Sequence, residues 1–379
     1  MQPGLLRVLV INPGSTSTKF AVYANERVEF VANLRHSDAE MEQFRGRPIL
    51  DQQPFRASLI ERELSRAGYA LNNLHATAGR GGLLRPLASG TYRVNQTMLQ
   101  ELRVAERGEH ASNLGAVLAL QIAQQAGVEA YVVDPVSVDE WSDRARLSGS
   151  ALMDRNCLSH ALNIKAVSKR YAREVGRPYE QLRLIVAHAG TGVSMAAHEQ
   201  GRMIDGINPR EEGAFSGDRA GGIPVMKLVE LCFSGNYTRK EVEAILFRDG
   251  GLYSYLGTKD LVEVERRIAA GDTRAALVFD AMVYQIGKDI GALATVLKGR
   301  VDAVLLTGGM AHSDRLKEEL RPAVEWIAPL VVYAGEDELQ ALAEGVLRVL
   351  RGEEQACEFG AAPQRGQARL EPAGAVSGK

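Results

Sequence analysis

Cysteine is scarce in this chain: three occur among 379 residues, Cys157, Cys232 and Cys357, odd in number and far apart. That excludes a disulfide framework and any close-spaced cysteine zinc site, and it fits a reducing, cytoplasmic setting. A surplus of either charge is also missing. Lys+Arg 45 against Asp+Glu 47 leave a net charge of −2, with no extended basic run, so nothing draws the chain to a phosphate backbone or an anionic membrane. No window approaches the roughly 18 uninterrupted apolar residues of a membrane span. The start, MQPGLLRVLVINPG, lacks the basic opening and long apolar stretch of a signal peptide, so neither export nor membrane insertion is expected. No G-x-x-x-x-G-K-[ST] occurs, which excludes a Walker-type phosphate loop.

What is present is a globular balance, 45% hydrophobic and 24% charged, in a length that at roughly 150 residues per domain gives about two to three folding units. Glycine stands out: 38 residues, above the usual 7% or so, with no collagen-like period. The short branched run LLRVLVIN from Leu5 reads as a buried strand entering a turn at Pro13-Gly14, with a second strand over Lys19–Tyr23. Helical spacing follows over Arg56–Ala67 and Leu114–Ala126, each stopped by glycine, then a strand over Glu129–Val133. A helix around Ser159–Val175 leads to strands Leu182–Ala187 and Val193–Ala197. Val278, Met282, Ile286, Ile290, Leu293 and Leu297 then mark one face of a helix closing at Gly299. The strand Val301–Thr307 and a last helix, Glu338–Arg351, complete the pattern. Alternating strands and helices, with strand–turn–strand opening each half, predict an α/β protein of two domains facing a ligand cleft.

Three glycine turns carry the chemistry. Asn12-Pro13-Gly14-Ser15-Thr16-Ser17-Thr18-Lys19 gathers backbone amides, hydroxyls and a cation, a set suited to phosphate oxygens; composition alone fits a solvated hairpin turn equally well. His188-Ala189-Gly190-Thr191-Gly192 places an imidazole at a second turn, and Gly308-Gly309 follows the strand AVLLT at the end where α/β sheets hold ligands.

Together with GRGGLL from Gly79, GEHASNLGA from Gly108, YVVDPVSVDE from Tyr131, FSGDRAGGIP, GGLYSYLGTKD, LLTGGMAHS and GEDELQALAEGVLRVLRGEE, the turn VLVINPGSTSTKFAVY resembles the acetate, propionate and butyrate kinase (acetokinase) family of the actin-like ATPase superfamily, its butyrate kinase branch most of all. The resemblance spans residues 8 to about 354. It implies two actin-like (ribonuclease H-like) α/β domains, with mixed sheets flanked by helices, around a central nucleotide cleft. The expected division is an N-terminal domain over 1–150 joined by the C-terminal helix 339–354, a domain over 151–338 carrying the adenosine site, and a flexible tail over 355–379.

The activity implied is reversible, in-line phosphoryl transfer from ATP to a butyrate-like or branched-chain carboxylate, with Mg2+, giving ADP and an acyl phosphate in a homo-oligomeric cytoplasmic enzyme. Such transfer rests on cations and positioning. Arg80 and Arg219 match the family's paired arginines, Asp134 its catalytic aspartate, and His188 a histidine thought to hold the phosphoryl group in flight. Asn12, Ser15, Ser17 and Lys19 match the first phosphate turn, with Gly190 and Gly192 forming the second. Gly308, Gly309 and Met310 match the adenosine turn, with Asp260 nearby, and Glu338 joins Asn12 near magnesium. A carboxylate substrate arrives ionised, so Asp134 is expected to orient it or to hold magnesium through water, not to act as a base.

Two departures mark the family pattern. H-L-G-G-G-I-S becomes His188-Ala189-Gly190-Thr191-Gly192-Val193-Ser194, and N-N-A-L-D-G-E-G-P becomes the shorter Ile207–Ala214. Threonine at 191 is expected to remove a φ-permissive residue where the backbone approaches phosphate, and if it blocks nucleotide approach Thr191→Gly should raise turnover. They leave open a second class of function, a catalytically altered nucleotide-binding protein acting as sensor or assembly partner; a sugar kinase on the same superfamily fold fits the motifs less well.

Overall fold

The computed structural model describes residues 4–360, which form two compact units. The first comprises 4–139 and 337–360, the second 140–336. The strands of the first are β1 (Arg7–Pro13), β2 (Ser17–Ala24), β3 (Arg27–Arg35), β4 (Ala76–Arg80), β5 (Thr91–Arg93), β6 (Glu129–Val133) and, at its C-terminal end, β12 (Cys357–Glu358). Those of the second are β7 (Leu184–Ala189), β8 (Val193–Glu199), β9 (Arg202–Ile207), β10 (Ala303–Gly308) and β11 (Leu330–Ala334).

In the first unit the sheet order is β12-β5-β6-β4-β1-β2-β3. β1, β2 and β3 form an antiparallel meander, while β4 runs parallel to both β1 and β6. Val8, Leu9, Val10 and Ile11 are all fully buried, as a central strand covered on both faces requires. Leu9 and Ile11 pack with Leu114, Leu118 and Ile122 of the helix Asn113–Ala126. β3 lies at the edge and alternates exposed and half-buried residues, its charges serving to keep that edge unpaired. A Cβ at Gly79 would run into the carbonyl group of Gly115, and one at Gly115 into the carbonyl of Arg80, so this glycine pair lets the helix lie backbone to backbone on β4.

The second unit repeats the topology in the order β11-β10-β7-β8-β9, with β7–β9 antiparallel and β10 parallel to both β7 and β11. Val278, Met282, Ile286, Ile290 and Leu293 are the buried stripe of the helix Thr273–Val296 against this sheet.

The units divide at 139/140, where a boundary at 150 was expected. Glu140 belongs with the second unit because its carboxylate meets Lys165 Nζ at 2.6 Å and accepts from Met203 N at 2.9 Å. The expectation of a flexible segment from 355 does not hold for 355–360. β12 pairs with β5 through Cys357–Tyr92, and Phe359 is buried beneath the Arg85 guanidinium. The rest of that expected tail, 361–379, lies outside the described residues.

Candidate functional site

The turn expected to hold phosphate is tighter than the sequence suggests. β2 begins at Ser17, not Lys19, because the β1–β2 ladder extends to Asn12–Lys19 and Pro13–Thr18, and Gly14 N donates to Ser17 O at 2.8 Å. Only Gly14, Ser15 and Thr16 remain between the strands. Directly paired residues share a face of the sheet, so Asn12 and Lys19 stand together. Asn12 Nδ2 donates to Glu338 Oε2 at 2.5 Å, and Arg80 Nη1, at the end of β4, donates to the same oxygen at 2.8 Å. Glu338 opens the helix Glu338–Leu350 behind a left-handed Asp337 (φ 37°) and is 8% exposed. Asn12, Arg80 and Glu338 thus form one bonded cluster. Asp134 follows β6 in the left-handed region (φ 37°), and its Oδ1 accepts from Ser89 Oγ at 2.6 Å and Gly90 N at 2.8 Å. Strain of this kind is held only where the surroundings enforce it.

In the second unit His188 is fully buried on β7. Asn163 Nδ2 donates to Glu336 O at 2.8 Å, which turns Oδ1 toward His188 Nδ1 at 2.8 Å. Nδ1 therefore carries a proton, and Nε2, 3.4 Å from Glu336 Oε1, donates only when the ring is an imidazolium. The ring stacks on His160 at 3.9 Å between centroids. Any side chain at Gly192 would strike the Arg219 guanidinium, and burial lowers the basicity of that group from its ordinary value.

Gly190, Asp218, Lys259, Asp260, Gly309 and Met310 line a pocket of about 500 Å3 with apolar walls at Leu252, Leu261 and Val262. Asp260 also caps the helix Leu261–Ala269, its Oδ1 accepting from Val262 N at 3.0 Å. Gly308 (φ 92°) admits no side chain because a Cβ would enter the backbone of Ala189. Thr191 is not among the residues with positive φ, and its carbonyl accepts from Ser216 Oγ at 2.6 Å. The expected need for a φ-permissive residue at 191 is therefore corrected, since the backbone there asks for no glycine.

A relative from Clostridium acetobutylicum named "Butyrate kinase 1" is 49% identical over 356 residues, covering 94% of this chain and 100% of its own. The chain belongs to the acetokinase family. A family model described as the acetokinase family matches residues 155–327. The acetokinase superposes on the crystal structure of Porphyromonas gingivalis acetate kinase with a TM-score of 0.76 at 19% identity, over 90% of this chain and 99% of that one. A propionate kinase from Francisella tularensis subsp. tularensis SCHU S4 gives 0.70 at 17% identity, again over 90% and 99%. At such identities they show the fold: two actin-like α/β domains of mixed sheets flanked by helices, matching the repeated strand order of this acetokinase.

Sequence patterns gave no sign of Ser89, Asn163 or Arg56, which touch candidate residues from 45, 25 and about 40 positions away. The one available signal was a small polar residue in a stretch destined for burial, as Asn163 is in its helix.

Proposed function

We propose that this acetokinase catalyses reversible, ATP-dependent phosphorylation of a short-chain carboxylate, butyrate or a branched-chain acid, to an acyl phosphate. The full-length relationship to a butyrate kinase carries this reading. The pocket beside Gly309 and Met310, with apolar walls and a few polar groups at its rim, suits a nucleoside. The Gly14–Thr16 turn with Lys19 suits phosphate oxygens.

Glu338 offers a carboxylate, and the Asn12 amide that meets it through Nδ2 carries a second hard oxygen, Oδ1; magnesium is usually held by one or two carboxylates completed by phosphates and waters. The residues fit such an ion, which when bound would neutralise charge on the phosphates. Arg80 exchanges its Glu338 partner for a substrate oxygen, and Arg219 supplies a second cation. His188, its Nδ1–H held by Asn163 Oδ1, directs Nε2 toward the phosphoryl group, with Glu336 Oε1 3.4 Å from that nitrogen. The carboxylate nucleophile is ionised at neutral pH, so Asp134, held by Ser89 and Gly90, orients and needs take no proton.

The protein acts in the cytoplasm as a homo-oligomer. The helix Val225–Phe233 buries none of its residues and exposes Val225, Met226 and Phe233, an apolar face that self-association would cover.

Purified protein with Mg-ATP, hydroxylamine and, in parallel, acetate, propionate, butyrate, isobutyrate or isovalerate is expected to form hydroxamate best with a four- or five-carbon acid. No hydroxamate from any acid, with ATP still bound, refutes the kinase reading and leaves the nucleotide-binding alternative.

A further inference from the structure

Among the described residues Arg56 heads the largest fully buried side chains, and its guanidinium meets no carboxylate there. It is spent on the phosphate turn instead. Nη1 donates to Gly14 O at 2.8 Å, Ser17 O at 2.9 Å and Thr18 Oγ1 at 3.0 Å. Nη2 donates to Ser15 O at 3.1 Å and to Gln52 Oε1 at 2.7 Å, while Nε donates to the same Gln52 oxygen at 3.0 Å. Thr18 Oγ1 also lies 2.9 Å from His36 Nε2, within hydrogen-bond distance. Burial pulls the guanidinium down to about 10, which still leaves it charged at neutral pH.

The geometry of the peptide bond gives these contacts a consequence. In a trans peptide the C=O and the next N–H point opposite ways. Holding the carbonyls of Gly14 and Ser15 inward therefore turns the amides of Ser15 and Thr16 outward, on the side where both residues are exposed. A turn whose amides face out and whose oxygens are tied back is an anion-binding nest, and an uncompensated cation beneath it adds to the same field.

We infer that Arg56 is a positioning residue for the phosphates of the nucleotide: it fixes the Gly14–Thr16 turn in its anion-binding form from inside the protein, with Gln52 orienting the guanidinium. This rests on the kinase reading only in naming ATP as the source of the phosphates.

The test uses calorimetric titration of the full-length protein with adenosine, Mg-ADP and Mg-ATP, together with steady-state kinetics. Arg56→Lys keeps the charge but cannot span the same oxygens. It is expected to weaken Mg-ATP and Mg-ADP by about tenfold and to raise KM for ATP alike, while adenosine affinity and KM for the carboxylate stay within about twofold. Gln52→Leu leaves the turn bonds and removes the orienting amide, so the same pattern follows at about threefold; it serves should Arg56→Lys fail to fold. A merely structural role lowers the active fraction without separating adenosine from ATP. Equal weakening of adenosine and ATP, or unchanged ATP affinity in folded variants, overturns the proposal. The binding readout does not depend on turnover, so a wild-type protein that binds ATP and forms no hydroxamate overturns the kinase reading alone.

Discussion

Replacing Asn163 by leucine tests whether the His188 tautomer matters. Asn163 is 3% exposed, and the change removes two hydrogen bonds of 2.8 Å, one to the Glu336 carbonyl and one from His188 Nδ1. Each buried group deprived of such a partner costs about 1–3 kcal/mol, of which the leucine's own burial returns about 1.5 kcal/mol. A net loss of about 1–4 kcal/mol leaves most proteins folded, since stabilities run at about 5–15 kcal/mol. Freed from its acceptor, the neutral ring takes either tautomer and loses orientation. Removing a donor at a transition state costs about 100- to 1,000-fold in kcat, so a donor present but unaligned is expected to cost about 10- to 100-fold. KM for ATP and for the acid stays within about threefold, because the effect lies in the transition state. Asn163→Asp restores an acceptor for Nδ1, so its kcat is expected to stay well above that of Asn163→Leu. Circular dichroism establishes folding, and hydroxamate formation reads the rate. A folded Asn163→Leu protein with wild-type kcat would refute the assigned role of the Asn163–His188 bond.

Thr191→Gly is expected to leave turnover unchanged or lower, because the position needs no positive φ and the substitution only loosens the chain; a rise of about twofold or more in kcat would instead mean that the threonine side chain blocks nucleotide approach. Glu338→Gln keeps an acceptor for Arg80 and Asn12 but removes the charge, so the Mg2+ concentration for half-maximal rate should rise about tenfold or more. An unchanged magnesium titration with a lower Tm would reduce Glu338 to a counterion for Arg80. Burial, then Lys165, holds His198 well below its ordinary value, and burial with Arg56 lowers His36. The unfolded chain takes up these protons near pH 6.5 and the native one does not, so stability is full above that pH and falls below it, by up to about 1.4 kcal/mol per pH unit for each histidine. Thermal midpoints from pH 7 to 5 should drop, and His198→Gln should flatten the drop; an equal slope in the variant counts against His198.

Where hydrophobic period and glycine punctuation agreed, the sequence was legible. β6 lies at Glu129–Val133 as read, and the stripe from Val278 to Leu293 is the buried face of its helix. β3 escaped notice because its charges break the apolar pattern at a sheet edge, and β2 began two residues early because strand pairing drew Ser17 and Thr18 into the ladder. The short helices between Val225 and Ala269 bury few residues, so periodicity had little to mark there. Turn chemistry pointed to Asn12, His188 and Gly308. What holds those residues, Arg56, Asn163 and Ser89, is set by tertiary contact, and an arginine in an amphipathic helix looks like any surface arginine.

The glycine pair at 79 and 115 sets a limit on how this protein can vary. Since a methyl group at 115 would press on the carbonyl of Arg80, and one at 79 on the carbonyl of Gly115, neither site has a neutral substitute. In a saturation-mutagenesis survey both positions would be blank for activity and for abundance alike. Loss of packing and loss of the Arg80 cation would arrive in the same variant, and no selection could separate them. Thr191, with no positive φ and an exposed side chain, is where such a survey should find room to change the turn without unfolding the sheet beneath it.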